Sequence, residues 1–209
     1  ASASAVAALP QRVHKYWSVA DAAGGGRSEL SDPEAADELD RLLRDAVALR
    51  MEADVPLGAF LSGGVDSSTV VALMQAQSAR PVRTFSIGFH EQDHDEAKFA
   101  KEVAAHLGTD HNELYVTAQD ALDVIPMLPA MFDEPFSDSS QMPTALVARL
   151  ARQGVTVALS GDGGDELFFS YTRYVRALRN WQMLGRVPAP LRRWMGARAH
   201  QQGEASRTG

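Results

Sequence analysis

VPLGAFLSGGVDSSTVVALMQAQ, residues 55–77, reads as a strand, a glycine-rich loop and a helix in immediate succession. The apolar run 55–61 has the length of a buried strand, and residues 67–77 carry a helical pattern. Between them, LSGGVDSS (61–68) gathers two glycines, three serines and an aspartate. Gly63 and Gly64 remove side-chain bulk and open backbone conformations closed to other residues. Ser62, Ser67 and Ser68 add hydroxyl donors, and the following helix directs its partly positive N-terminus at the same spot. Such a loop suits an anion, phosphate above all. It is not a Walker A loop, which needs a lysine that this stretch lacks. Asp66 repels phosphate, so its simplest use is to hold a Mg²⁺ ion that bridges to phosphate oxygens. The plain alternative is a strand–turn–helix corner in which Asp66 caps the helix.

The same order of elements continues downstream. VRTFSIGF (82–89) reads as a strand with Phe85, Ile87 and Phe89 on one face, and DEAKFAKEVAAHLG (95–108) as a helix stopped by Gly108. HNELYV (111–116) is a third strand, residues 119–130 and 141–152 are helical, and VTVALS (155–160) is a buried strand. Upstream, Asp32 is read as an N-cap with Pro33 in the first turn. Leu39, Leu42, Leu43, Ala46 and Val47 then follow the spacing of one buried helix face. Strands alternating with helices predict an α/β fold, a Rossmann-like, mainly parallel sheet sandwiched by helices. Ligands in such folds sit at the carboxyl ends of the strands.

A second glycine-rich loop occupies one of those ends. SGDGGDE (160–166) contains three glycines, with Asp162 and Asp165 three residues apart. By itself it reads better as a capped helix start whose acids complement the helix dipole. Two such loops at one sheet edge, each with aspartates, point to a shared Mg–nucleotide site, with Asp165 joining Asp66 on the metal.

Composition removes several alternatives. The chain of 209 residues has no cysteine, so disulfides, thiolate metal sites and a cysteine nucleophile are excluded. That suits a cytoplasmic location. A net charge of −7 does not advertise nucleic-acid binding, no run reaches the length of a membrane span, and ASASAVAALP lacks the features of a signal peptide. Residues 171–203 carry seven arginines and no acid, a basic end that we expect to pair with acidic segments of a longer protein. The six histidines show no metal-binding spacing, and His106 reads as structural. In FDEPFSDSS (132–140), Asp138, Ser139 and Ser140 are candidates for a substrate pocket, against the alternative of a solvated loop.

SGGVDSS resembles the pyrophosphate-binding loop of the ATP pyrophosphatases. Its partnering with LSGDGGDELF, and the intervening FSIGF, HDEAKFAKEVAAHLGTDHNE and FDEPFSDSSQMPT, resembles the synthetase domain of glutamine-dependent asparagine synthetases. The likeness runs from about residue 31 to about 180. The first loop alone also resembles other pyrophosphatases, such as GMP synthetase and tRNA-thiolating enzymes. The resemblance implies the adenine nucleotide alpha hydrolase-like fold and a reaction in which aspartate attacks ATP, pyrophosphate leaves, and ammonia converts the acyl-adenylate to an amide. Carried over, Ser62, Gly63, Gly64, Asp66, Ser67 and Ser68 hold pyrophosphate. Asp66 and Asp165 hold Mg²⁺, while Leu61, Ile87, Ser160 and Gly161 contact adenosine. Asp162 takes the catalytic place, accepting a proton from ammonia.

Three features depart from that family. A chain without cysteine has no glutaminase nucleophile, so the glutaminase domain is expected elsewhere in the full-length protein. The family's lysine downstream of the second loop has no counterpart, since Lys15, Lys98 and Lys101 all lie upstream. The usual LFGGY is here Leu167-Phe168-Phe169-Ser170-Tyr171. We therefore expect a weakly ordered linker over 1–30, the ATP-pyrophosphatase domain over 31–180, and a truncated basic segment over 181–209. A homodimer is left open. So are two other functions: action on another carboxylate, as in β-lactam closure, and a nucleotide-binding module without catalysis.

Overall fold

The computed structural model describes residues 14–26, 28–90, 96–134, 138–190 and 192. Arg27, Asp93, His94, the middle of FDEPFSDSS and the basic stretch from Arg193 onward, with Trp194 and Met195, lie outside the described residues. The chain divides into two compact units, residues 1–43 and 44–209.

In the first unit, α1 (Val19–Ala23) lies within the stretch expected to be weakly ordered; Ser18 caps it by accepting the Asp21 N–H. Helix α2 (Asp32–Met51) runs across the division. Its cap differs from expectation. Asp32 is already helical, and Ser31 fills the flanking position, donating its N–H and hydroxyl to the Glu34 carboxylate at 2.9 and 2.6 Å. The Ser-x-x-Glu spacing of a capping box carries that signal. The expected apolar face of α2 is also corrected: Val47 is its buried residue, whereas Leu39, Leu42 and Ala46 are exposed. Helical spacing creates an apolar stripe but not the surface needed to cover it, and α1 contributes no buried residue.

The second unit holds four strands among its described residues: β1 (Leu57–Phe60), β2 (Arg83–Phe89), β3 (Asp110–Val116) and β4 (Val157–Leu159). All pair in parallel, in the order β3-β2-β1-β4. The chain moves outward from β1 to β2 and β3, then returns to the other side of β1 as β4. That reversal places the topological switch beside β1. The connecting helices are α3 (Val65–Gln77), α4 (Ala97–Leu107), α5 (Ala118–Val124), α6 (Leu128–Met131) and α7 (Gln141–Ala151). Gly108 ends α4 in a left-handed conformation, as expected.

The side-chain alternation of β2 sorts the two faces. Phe85, Ile87 and Phe89 pack with Leu146, Val147 and Ala151 of α7, and with Val124 of α5. On the other face, Thr84 and Ser86 are buried beside His111, and the Lys101–Glu113 ion pair at 2.7 Å ties α4 to β3. Helices thus cover both faces, the arrangement expected from the alternating pattern.

Two elements depart in detail. The helix expected over 119–130 breaks into α5, a 3₁₀ turn (Ile125–Met127) and α6, because Pro126 and Pro129 cannot donate the backbone bonds that continue a helix. Strand β4, expected to be buried, exposes Val157 because it is an edge strand of the sheet.

His111 bridges Thr84 Oγ1 at 2.9 Å and Ser86 Oγ at 3.3 Å, and burial lowers its pKa; Glu113 opposes that shift and Lys101 adds to it. The folded state therefore disfavours the imidazolium. The resulting stability is complete above the ordinary value of 6.5 and is lost as pH falls below it through the folded value. The urea midpoint of the native chain should fall more between pH 7.5 and 5 than that of His111→Gln. Equal losses would take His111 out of the account.

Candidate active site

A cavity of about 1080 Å³ opens at the carboxyl ends of the strands. Phe60 and Ser62 enter from the end of β1, Asp66 and Ser67 from the start of α3, and Ile87 and Phe89 from the end of β2. Asp138, Ser139 and Ser140 arrive just ahead of α7, and residues 160–163 follow β4. Asp165 and Glu166 belong to α8 (Gly164–Leu167), a single helical turn. Tyr171, just before α9 (Thr172–Gly185), closes the lining.

The first loop is tied to itself. Ser62 and Ser67 share a hydroxyl hydrogen bond at 2.9 Å, Ser62 N donates to Ser67 Oγ, and Gly64 N donates to Ser62 Oγ at 3.2 Å. These serines shape the loop, leaving the first-turn N–H groups of α3 as the donors a phosphate would find. Gly63 has φ +81, and a Cβ there would lie 2.6 Å from Ala100 N and 2.7 Å from Phe99 C, so the loop rests directly on α4. Leu61 is fully buried and donates its N–H to Phe85 O at 2.9 Å, anchoring the loop without lining the cavity. Gly63 and Ser68 face a separate shallow depression between α3 and α4, where His106 also lies.

The second loop lies against the first. A Cβ on Gly161 would sit 2.6 Å from Ser67 N and 2.9 Å from Asp66 C, and one on Gly164 would sit 2.5 Å from Asp66 Cγ. Asp66 is thus packed under the turn that carries Asp165. Ser160 Oγ donates to Asp162 Oδ2 at 3.0 Å and orients that carboxylate. Ser140 N–H donates to Asp138 Oδ1 at 2.8 Å; this bond, then the Ser140 side chain, holds the Asp138 carboxyl below its ordinary range. Tyr171 donates to Glu166 Oε1 at 2.7 Å, which lowers the Glu166 pKa and pushes the Tyr171 hydroxyl up to about 12. Glu166 is exposed and Tyr171 half-buried, so this pair orients more than it stabilises.

Asp66, Glu96, Asp138, Asp162, Asp165 and Glu166 supply six carboxylates to the lining, without a lysine or arginine among the described residues. An anionic ligand therefore needs accompanying cations. Among the described residues, no group of three histidines or acids could hold a metal ion by itself. Two carboxylates completed by phosphate oxygens are a donor set that Mg²⁺ uses, and Asp66 and Asp165 are the pair in this lining that could supply it.

Residues 38–208 match the asparagine synthase family. The chain belongs to this family. It is 41% identical over 169 residues to a Methanocaldococcus jannaschii protein provisionally named as a glutamine-hydrolysing asparagine synthetase, covering 80% of this chain and 32% of that one. It is 39% identical over 152 residues to glutamine-hydrolysing asparagine synthetase 1 of Bacillus subtilis, covering 72% of this chain and 24% of that one. The chain thus spans a third or less of the length of these relatives. NMN synthetase of Francisella tularensis, a solved structure, aligns at 16% identity over 68% of this chain and 59% of that one, with a TM-score of 0.44.

Of the site residues expected from the sequence, the cavity brings together Ser62, Asp66, Ser67, Ile87, Asp138, Ser139, Ser140, Ser160, Gly161, Asp162 and Asp165. Leu61, Gly63, Gly64 and Ser68 stand outside its lining. Glu96, Glu166 and Tyr171 had not been singled out. The acid after GDGGD was visible, but its bond to a tyrosine five residues on follows neither helical nor strand spacing.

Proposed function

We propose that this chain is the ATP-using synthetase part of a glutamine-dependent asparagine synthetase. The observation that carries this reading is the contact of Gly161 with the backbone of Asp66 and Ser67, which joins two anion-type loops into one cavity. The first loop and the N-terminus of α3 receive the ATP phosphates, while Ile87, Ser160 and Gly161 lie along the adenosine and the buried Leu61 anchors the loop behind them. An oxygen of the aspartate side-chain carboxylate attacks the α-phosphorus; that bond forms as the bond to pyrophosphate breaks. Ammonia then attacks the acyl carbon, AMP departs, and Asp162, held by Ser160, takes the surplus proton. Mg²⁺ on Asp66 and Asp165 would neutralise charge on the phosphates. Ammonia comes from a glutaminase domain of the longer protein, in a cytoplasmic setting; among the described residues no helix is long and apolar enough to cross a membrane.

ATP–pyrophosphate exchange tests the reading. Exchange should require both Mg²⁺ and aspartate. Asp66→Asn should lower it at least about 100-fold, the scale of losing a preorganised electrostatic contact, and Asp123→Asn on α5 should leave it intact. Exchange supported by a different carboxylic acid would move the acceptor; equal effects of the two substitutions would remove the metal assignment.

A further inference from the structure

The turn after α8 contains the one non-glycine residue with positive φ among the described residues, Phe169 at φ 60. The turn closes as a helix C-cap, with Ser170 N donating to Asp165 O at 3.2 Å and Phe168 N to Gly164 O at 2.9 Å. That puts Phe169 where such caps ordinarily carry glycine. A bulky residue in this conformation is strained, and glycine would make the same turn without strain. The ring itself must therefore serve something.

It begins a stack. Phe169 lies 5.2 Å from the Tyr174 ring, and Tyr174 meets Tyr171 edge-on at 5.3 Å. The Arg173 guanidinium sits 4.0 Å above the Tyr171 ring and 5.4 Å from that of Tyr174. Each contact lies within the range of favourable aromatic or cation–π pairs. The stack ends at the Tyr171 hydroxyl, which donates to Glu166 in the cavity wall.

We propose that Phe169 is a positioning residue: through Tyr174 and Tyr171 it fixes the Glu166 carboxylate, which receives the ammonium group of an amino-acid acceptor. This rests on the reading of the cavity as an adenylation site. The acidic lining suits a cationic group at the acceptor end, and the Tyr171 hydroxyl holds one oxygen of Glu166, fixing how the carboxylate faces the cavity. Phe169 touches no reactant; it acts through the stack.

The test compares Michaelis constants for aspartate and ATP in the intact enzyme. Phe169→Gly should raise the aspartate KM about tenfold, the scale of one misplaced hydrogen bond to a charged group, while the ATP KM stays unchanged. Phe169→Tyr, which keeps the ring, should behave as the unaltered enzyme, and Glu166→Gln should raise the aspartate KM in the same way. A purely structural role predicts otherwise, because glycine relieves the strained turn and should leave both constants alone. If Phe169→Gly fails to fold, Tyr174→Leu breaks the stack one ring further on and carries the same expectation. The inference is overturned if both constants move together, if neither moves, or if Glu166→Gln spares the aspartate KM. Unaltered enzyme that turns over without aspartate dependence would remove the proposed reaction and this inference together.

Discussion

Gly63→Ala is expected to lower the unfolding temperature by roughly 6–12 °C, at about 2–4 °C per kcal/mol for a chain of this size. Two terms add. The left-handed backbone at φ +81 costs an alanine about 1–2 kcal/mol. The new methyl would also meet Ala100 N at 2.6 Å and the backbone of Phe99 at 2.7 Å. These are main-chain atoms of α4, so relief requires a helix shift, and such overpacking costs about 1–3 kcal/mol. A value of about 3 kcal/mol, within the combined range, sets the expected shift. Thermal unfolding followed by circular dichroism reads it directly. Gly185→Ala is the matched control: its φ is not left-handed and no heavy atom lies within 4 Å of the added carbon, so its midpoint should stay within a degree or two. A Gly63→Ala midpoint as close to native as the control's would show that α4 can yield, and that the loop does not depend on this contact.

The local grammar around Gly63 was legible before any coordinates. An apolar run, two glycines and a helical pattern left few choices for residues 55–77, and β1 and α3 form there. Some corrected details also had readable signals. Pro126 and Pro129 announce the break between α5 and α6, and Ser31 with Glu34 announces the start of α2. Other features were not local. That β4 lies beside β1 depends on strand order across about a hundred residues, and no periodicity encodes it. The edge position of β4, and with it the exposure of Val157, follows from the same order. At the site, the motif does not tell that Ser68 lines the depression beside α4. Phe169-Ser170 was visible as a departure from the usual glycines, whereas the ring stack it starts depends on a φ value that no sequence pattern specifies.

Gly161→Ala should separate function from stability most sharply. Gly161 has no left-handed φ to protect, so the substitution brings no backbone strain of its own. Its penalty is positional. The added carbon would lie 2.6 Å from Ser67 N and 2.9 Å from Asp66 C, both main-chain atoms in the first turn of α3. The second loop is the partner expected to give way, since it hangs from the edge strand β4 and continues into a one-turn helix. It should therefore move outward by a fraction of an ångström to an ångström, carrying Asp162 and Asp165 away from Asp66. Misplacement on that scale costs about 100-fold in catalysis when reacting groups are held by position. Aspartate-dependent ATP–pyrophosphate exchange should thus fall by about that factor, while the unfolding temperature drops by only a few degrees, as a surface loop relaxes more easily than a packed core. Gly63→Ala should show the reverse weighting, a large thermal shift beside a smaller loss of exchange, because its contact anchors the loop to α4 rather than to the opposing carboxylates. If Gly161→Ala kept full exchange, the closeness of the two loops would be incidental, and Asp66 and Asp165 would have to work as independent groups.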